Sequence, residues 1–160
     1  MLDSLVTDWS RERPDLAVAH KEVVYAIHIA RSLFTRNADE VLKPWKLNFN
    51  SYGVLATLRR SGKPYSQLPG ELSKALGFTS GGMSNLLRRL EKLKYIKRVP
   101  NVDDERSILV NLTPLGKRTV DQAVTALAES ETKHLAALSS RDRRLLYNSL
   151  RVVIDSFDEF

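Results

Sequence analysis

The chain has 160 residues, 42% of them hydrophobic and 28% charged, enough apolar content for the packed core of one domain. It has no cysteine, which excludes a disulfide scaffold, thiolate metal sites, a thiol nucleophile and a cysteine redox sensor. The formal charge of +6 is local: residues 59–118 carry 13 Lys and Arg against 5 Asp and Glu, the rest of the chain 12 against 14, so the middle of the chain should attract a polyanion, most commonly nucleic acid.

Residues 16–42 read as one long helix. Leu16, His20, Val23, Ile27, Ala30, Phe34, Ala38 and Val41 recur every three or four positions, and Pro44 ends the run. So long a stripe on a small chain points to packing against several elements or a second copy of the chain. Residues 50–61 read as a second helix with Asn48 or Asn50 as cap, Leu55 and Leu58 inward, and Gly62 as its stop. Ser66 is placed as the cap of a third helix carrying Leu68, Leu72 and Leu76, which Gly77 ends. Thr79 then caps a fourth, with Met83, Leu86 or Leu87, Leu90 and Leu93 as its apolar face.

Beyond it the period changes. Residues 96–99 and 108–112 read as two short strands joined by the polar loop 100–107. Thr113-Pro114 is a helix start, a capping hydroxyl followed by proline where its missing N–H costs nothing. That fifth helix runs to about residue 138. Ser139 to Asp142 resembles a capping box with Asp in place of Glu. A last helix carries Leu146, Leu150, Val153, Phe157 and Phe160 at spacings of four and three, the pattern of a dimer seam or a core stripe. The expected order is α-α-α-α-β-β-α-α.

Two short helices joined through Leu76-Gly77-Phe78-Thr79 form a helix-turn-helix candidate, and the ribbon after the second makes it a winged helix. The fourth helix presents Thr79, Ser80, Gly81, Ser84, Asn85, Arg88 and Arg89. Small hydroxylated residues at a helix start let backbone approach phosphates and base edges, and Asn and Arg donate from the next turns. Ser66 and Arg98 complete the lobe's candidate contacts. The wing loop offers Arg106, which at a ribbon tip can enter a narrow minor groove, with Asp104 placed to hold its side chain extended. Taken singly, Arg88, Arg89 and Lys92 also fit a solvated helix face, and Asp104 with Arg106 a surface ion pair worth under about 1 kcal/mol.

The stretch Leu76 to Arg118, LGFTSGGMSNLLRRLEKLKYIKRVPNVDDERSILVNLTPLGKR, resembles the DNA-binding lobe of MarR-family transcriptional regulators. The most specific part is Asp104-Glu-Arg106, followed six residues later by Leu112-Thr-Pro-Leu-Gly116. The resemblance implies a homodimer whose first and last helices intertwine, the fourth helix in the major groove and Arg106 in the minor groove. It also implies a regulator released by a small aromatic or phenolic effector. The expected architecture is therefore mainly α with a small β-ribbon: a winged helix-turn-helix lobe at 48–117 and a helical dimerisation region at 1–47 and 118–160.

Trp9-Ser-Arg-Glu-Arg-Pro-Asp-Leu16 and Leu55-Ala-Thr-Leu-Arg-Arg-Ser-Gly62 resemble the family's urate-responsive branch. That branch has an acidic residue where Gly53 stands and an Arg where Leu86 aligns, so a different aromatic effector is expected. Lys94 stands where the family has a helix-ending Gly, so the fourth helix is expected to stop without a left-handed residue.

Trp9, Trp45 and Tyr52 are candidates for an aromatic-ligand pocket between the dimer helices and the DNA-binding lobe, with His28 a candidate partner for an acidic ligand. Trp45 also fits the core. His20, His28 and His134 have no metal-ligand spacing, and no cofactor is expected. No phosphate-binding lysine loop, Gly-x-Ser-x-Gly elbow or His-Glu-x-x-His occurs, so no enzyme is expected. No uncharged run nears the roughly 18 residues of a membrane span. Asp3, Asp8, Arg11, Glu12, Arg13 and Asp15 are unlike a secretory signal, so the expected location is the cytoplasm. The function these features support is a repressor released from a pseudo-palindromic operator. A winged-helix module for RNA or an acidic protein is the alternative.

Overall fold

The computed structural model describes residues 2–101, 104 and 106–157. The chain runs α1 (Leu2–Glu12), α2 (Lys21–Leu42), a 3-10 turn (Lys43–Trp45), α3 (Phe49–Arg60), β1 (Ser66–Gln67), α4 (Pro69–Leu76) and α5 (Ser80–Lys92). It continues through β2 (Ile96–Pro100), β3 (Ile108–Leu112), α6 (Pro114–Leu135) and α7 (Ser140–Asp155). The mainly helical winged-helix architecture expected from the sequence is the one observed.

The first expected helix starts late. Pro14 restricts residue 13, and Arg13 pairs with Asp15 at 2.7 Å, so the backbone turns between α1 and α2 rather than running helical from residue 16. The turn leaves Leu16 exposed and seats Val18 in the core. α1 itself was not anticipated. It lies along α2, where Trp9 Nε1 donates to the Tyr25 hydroxyl at 3.0 Å and the Lys21 ammonium sits 5.7 Å from the indole centroid.

Asn48 caps α3, its Oδ1 accepting from Ser51 N–H at 2.9 Å, and Val54, Leu55 and Leu58 are buried. Each contributes about 1.5–3 kcal/mol by leaving water. Ser66 is not the cap of the next helix. It lies in β1 opposite Asn111, and its hydroxyl donates to Asn111 Oδ1 at 2.6 Å. The helix begins three residues later at Pro69, with the Leu68 N–H donating to Glu71 Oε2 at 2.9 Å. The ribbon is consequently a three-stranded antiparallel sheet of order β1-β3-β2, with Arg98 opposite Val110.

Gly77 ends α4 at φ +68, as its missing Cβ permits. Met83, Leu87 and Leu90 of α5 pack with Leu72, Ile96 and Val110 into one cluster that reaches Val120, Ala123 and Leu127 on α6. Lys94 does adopt the left-handed conformation, at φ +60. Tyr95 N–H reaches Leu90 O at 3.0 Å and Lys94 N–H reaches Glu91 O at 2.9 Å, the two bonds of a Schellman ending. A side chain there costs about 1 kcal/mol against glycine.

α6 ends at Leu135, three residues early, and Ser139 caps α7. The Asp142 carboxylate takes the Ser139 hydroxyl at 2.6 Å instead of reaching back to its N–H. Among the described residues α7 makes no substantial packing contact with the rest of its chain. Of residues 140–157 only Leu150 is as much as half-buried, while Leu146, Val153 and Phe157 stand in solvent. The seam's Phe160 lies outside the described residues, as do Val102, Asp103 and Glu105 of the wing loop.

Candidate nucleic-acid interface and adjoining cavity

The Thr79 hydroxyl accepts from Gly82 N–H at 3.2 Å and opens α5 with extended backbone. Burial of Met83, Leu87 and Leu90 turns the opposite side outward, leaving Ser80, Gly81, Ser84, Asn85 and Arg88 exposed together. A Cβ on Gly81 would meet nothing within 4 Å, so its small size answers no packing need inside the chain. Arg88 Nη1 donates to Asn85 Oδ1 at 3.3 Å, aligning the two groups along that face. The helix N-terminus adds unpaired N–H groups and a positive dipole end, a combination that suits phosphate.

Arg106 is exposed in the wing between β2 and β3. Asp104 Oδ1 accepts from the Arg106 backbone N–H at 3.1 Å, and Asp104 O accepts from Ser107 N–H at 2.9 Å. Asp104 thus shapes the loop backbone: where the sequence pointed to the Arg106 side chain, the bond seen is to the Arg106 main chain, which an Asp two residues back reaches readily.

Three expected contacts are engaged within the chain. Arg89 Nη2 donates to Lys46 O at 2.9 Å, across to the corner between α2 and α3. Arg98 pairs with Glu91 at 3.4 Å. Ser66 is half-buried against Asn111.

A cavity of about 550 Å³ opens between α3, the end of α4 and α6. Phe49, Tyr52, Gly53, Ala56, Leu76, Phe78, Val120 and Val124 make it largely apolar, and Arg59, Arg60 and Asp121 form its charged end. Of the four expected ligand residues only Tyr52 lines it. Burial and the nearby Glu131 charge push the Tyr52 hydroxyl's pKa up, so it stays a neutral hydrogen-bond donor. Trp45 is half-buried against the core with its indole donating to Gln122 Oε1 at 3.2 Å. Trp9 is tied to Tyr25, and His28 faces a separate depression on α2 with Arg31, Ser32, Thr35, Arg36 and Asp39.

The charged end was not anticipated. Asp121 Oδ1 accepts from Arg59 Nε at 2.8 Å and Asp121 Oδ2 from Lys117 Nζ at 2.8 Å. These two bonds, Lys117 first, hold the Asp121 carboxyl below the ordinary carboxylate range. Arg59 also lies 5.1 Å over the Tyr65 ring. Among the described residues no group of three or more His, Cys, Asp or Glu could hold a metal ion. No helix there is long and apolar enough to cross a membrane.

A family model described as the MarR family matches residues 45–107. The HTH-type transcriptional regulator PecS of Dickeya dadantii is 32% identical over 92% of this chain and 96% of its own. The chain belongs to the MarR family. It is a transcriptional regulator of that family, which is not a family of enzymes. Among solved MarR-family structures, Sco5413 of Streptomyces coelicolor has the same fold, with a TM-score of 0.78 at 21% identity over 90% of this chain and 99% of its own. A mutant MarR from E. coli complexed with operator DNA superposes with a TM-score of 0.75 at 23% identity, covering 91% and 96%.

Proposed function

We propose that the protein is a homodimeric repressor that binds a pseudo-palindromic DNA duplex and is released by a small aromatic or phenolic effector. The observation that carries the DNA reading is the exposed start of α5, where Ser80, Gly81, Ser84, Asn85 and Arg88 share one face beside the Arg106 wing. α5 lies in the major groove and Arg106 in the adjacent minor groove, where potential is most negative. The MarR structure with operator DNA supports this placement by its fold.

The dimer reading rests on α7. Leu146, Val153 and Phe157 are 47%, 39% and 76% exposed, and Val23, Val24, Leu33 and Phe34 of α2 are exposed as well. A soluble chain does not leave that much aliphatic and aromatic surface unpartnered. A second copy of the chain supplies the cover and sets the recognition helices about one helical turn of DNA apart. Residues 1–47 and 118–160 then form the dimerisation region and 48–117 the DNA-binding lobe.

The effector reading rests on the cavity, whose volume lies in the range of small-molecule sites. Gly53 leaves its wall without the carboxylate of the urate-responsive branch, which favours an aromatic ring packed on Tyr52 and Phe78. The cavity touches both α3–α4 of the lobe and α6 of the dimer region. A ligand there stabilises one relative placement of the two and shifts the population away from the DNA-competent geometry.

The test is fluorescence anisotropy with the duplex upstream of the protein's own coding region, at about 150 mM salt and in excess non-specific DNA. Saturable binding that resists the competitor supports a sequence-specific regulator and supplies the assay for aromatic effectors. Equal affinity for competitor and duplex overturns the operator at that position and moves the search to a random duplex pool.

A further inference from the structure

Arg89 stands beside Arg88 on α5, yet its side chain runs to the corner between α2 and α3. Its Nη2 donates to Lys46 O at 2.9 Å, and Lys46 is itself left-handed at φ +56. The neighbouring carbonyl, Trp45 O, accepts from the Tyr95 hydroxyl at 3.1 Å. The Trp45 indole donates in turn to Gln122 Oε1 of α6 at 3.2 Å. Residues 45 and 46 are therefore a hub that holds the C-terminal end of α5, the start of β2 and the middle of α6 at once.

The hub supplies what the apolar face of α5 cannot. Met83, Leu87 and Leu90 decide which side of the helix faces inward, but hydrophobic contact is non-directional and tolerates tilt and axial slip. A charge-assisted hydrogen bond from a planar guanidinium to a backbone carbonyl has a defined length and direction. We propose that Arg89 is a positioning residue rather than a DNA contact: with Tyr95 it fixes the pitch of the recognition helix relative to the α2–α6 scaffold, and so the operator spacing the protein accepts. The operator part of this inference rests on the DNA-binding reading above.

Two variants separate positioning from charge. Arg89→Met removes the donor and the cation, whereas Tyr95→Phe removes the other donor to the same hub and no charge. The chain has no cysteine, so Ser84→Cys with Thr125→Cys accepts a unique pair of spin labels on exposed positions of α5 and α6. Pulsed dipolar EPR on DNA-free labelled protein, diluted with unlabelled protein, reads the α5–α6 distance. The expected result is a shifted or broadened distribution in both variants. An unchanged distribution in both overturns the proposal whether or not the protein binds DNA.

The second readout uses a duplex selected by the wild-type protein from a random pool, with versions one base pair longer or shorter at the centre. Both variants should bind the selected duplex about tenfold more weakly, lose part of the spacing preference, and keep the slope of log Kd against log salt. A slope lowered by about one in Arg89→Met, with equal loss on all sequences, is the signature of a phosphate contact and overturns the positioning role. Selection of no duplex by the wild type refutes the DNA reading, and the EPR distances still decide the role of the hub.

Discussion

Gly116→Ala is the substitution whose sign the structure decides most sharply. Gly116 is the third residue of α6, and a Cβ there would lie 1.9 Å from the Tyr95 carbonyl oxygen, 2.8 Å from its carbon and 3.0 Å from its Cα. All three atoms are backbone, so no side chain can swing aside. Restoring an ordinary C···O contact of about 3.3 Å requires α6 and β2 to separate by about 1.4 Å. That strains a junction in which Thr113 N–H donates to Tyr95 O at 3.0 Å and the Thr113 hydroxyl to Lys94 O at 2.8 Å. Overpacking of this kind costs about 1–3 kcal/mol and each weakened hydrogen bond about 1 kcal/mol more. Working the other way, Ala is favoured over Gly inside a helix by about 1 kcal/mol. The expected net is a loss of about 2–4 kcal/mol, or a fall in Tm of about 5–15 °C for a chain of this size. Thermal unfolding by far-UV circular dichroism measures it at fixed protein concentration, because a dimer's Tm depends on concentration. Gly70→Ala, where a Cβ would meet nothing within 4 Å, is the control and should melt with the wild type or slightly above it. A Gly116→Ala protein that melts as high as wild type would refute the close-approach argument.

Arg106→Ala should weaken operator binding about tenfold or more while leaving Tm unchanged, since Arg106 is exposed in the wing; equal operator affinity would remove its minor-groove role. Gly81→Leu should leave Tm within a degree or two of wild type, about the size of a surface change, because space is open there, yet sharply reduce DNA affinity; undiminished affinity would show that the α5 start does not approach DNA. The Asp121 carboxyl titrates below its unfolded value of about 3.9, so its contribution is complete above that pH and disappears as pH falls through the lower folded value. Asp121→Asn should therefore lower Tm at neutral pH and lose less stability than wild type on acidification below about pH 4; parallel Tm–pH curves would count against the Arg59–Asp121–Lys117 cluster. Leu146→Asp should convert the dimer to monomer in analytical ultracentrifugation, and an intact dimer would place the interface elsewhere than on the exposed face of α7.

What could be read from the sequence was whatever depends on neighbours along the chain. The caps Asn48, Thr79, Thr113 and Ser139 each act on an N–H three residues ahead, and all four were placed correctly or as one of two options. The apolar faces of α3 and α5 repeat within a turn, so Leu55, Leu58, Met83 and Leu90 were assignable to the core from spacing alone. α1 is not legible in the same way, because residues 2–12 carry a much shorter apolar stripe than the one that follows, and the Pro14 turn lies where Leu16 and His20 continue that longer stripe's spacing.

The readings that failed concern partners distant in the chain. Ser66 looks like a helix cap until β3 brings Asn111 opposite it, 45 positions away. Arg59 carries no local signal for its role, because its partner Asp121 is supplied by α6, 62 positions on. Arginines show this most clearly. Arg88, Arg89, Arg98 and Arg106 present the same guanidinium and were equally good candidates for DNA. The fold sorts them: it turns Arg89 to a carbonyl 43 positions back and pairs Arg98 with Glu91, while Arg88 and Arg106 stay on the outer face. The bond from Nη2 to Lys46 O draws the Arg89 guanidinium toward the α2–α3 corner, so swinging it onto the outer face of α5 means giving up that anchor, whereas Arg88 is bonded to Asn85 on that face already. Affinity for DNA should accordingly concentrate on Arg88 and Arg106, and mutation of Arg89 should act on geometry and leave the salt dependence intact.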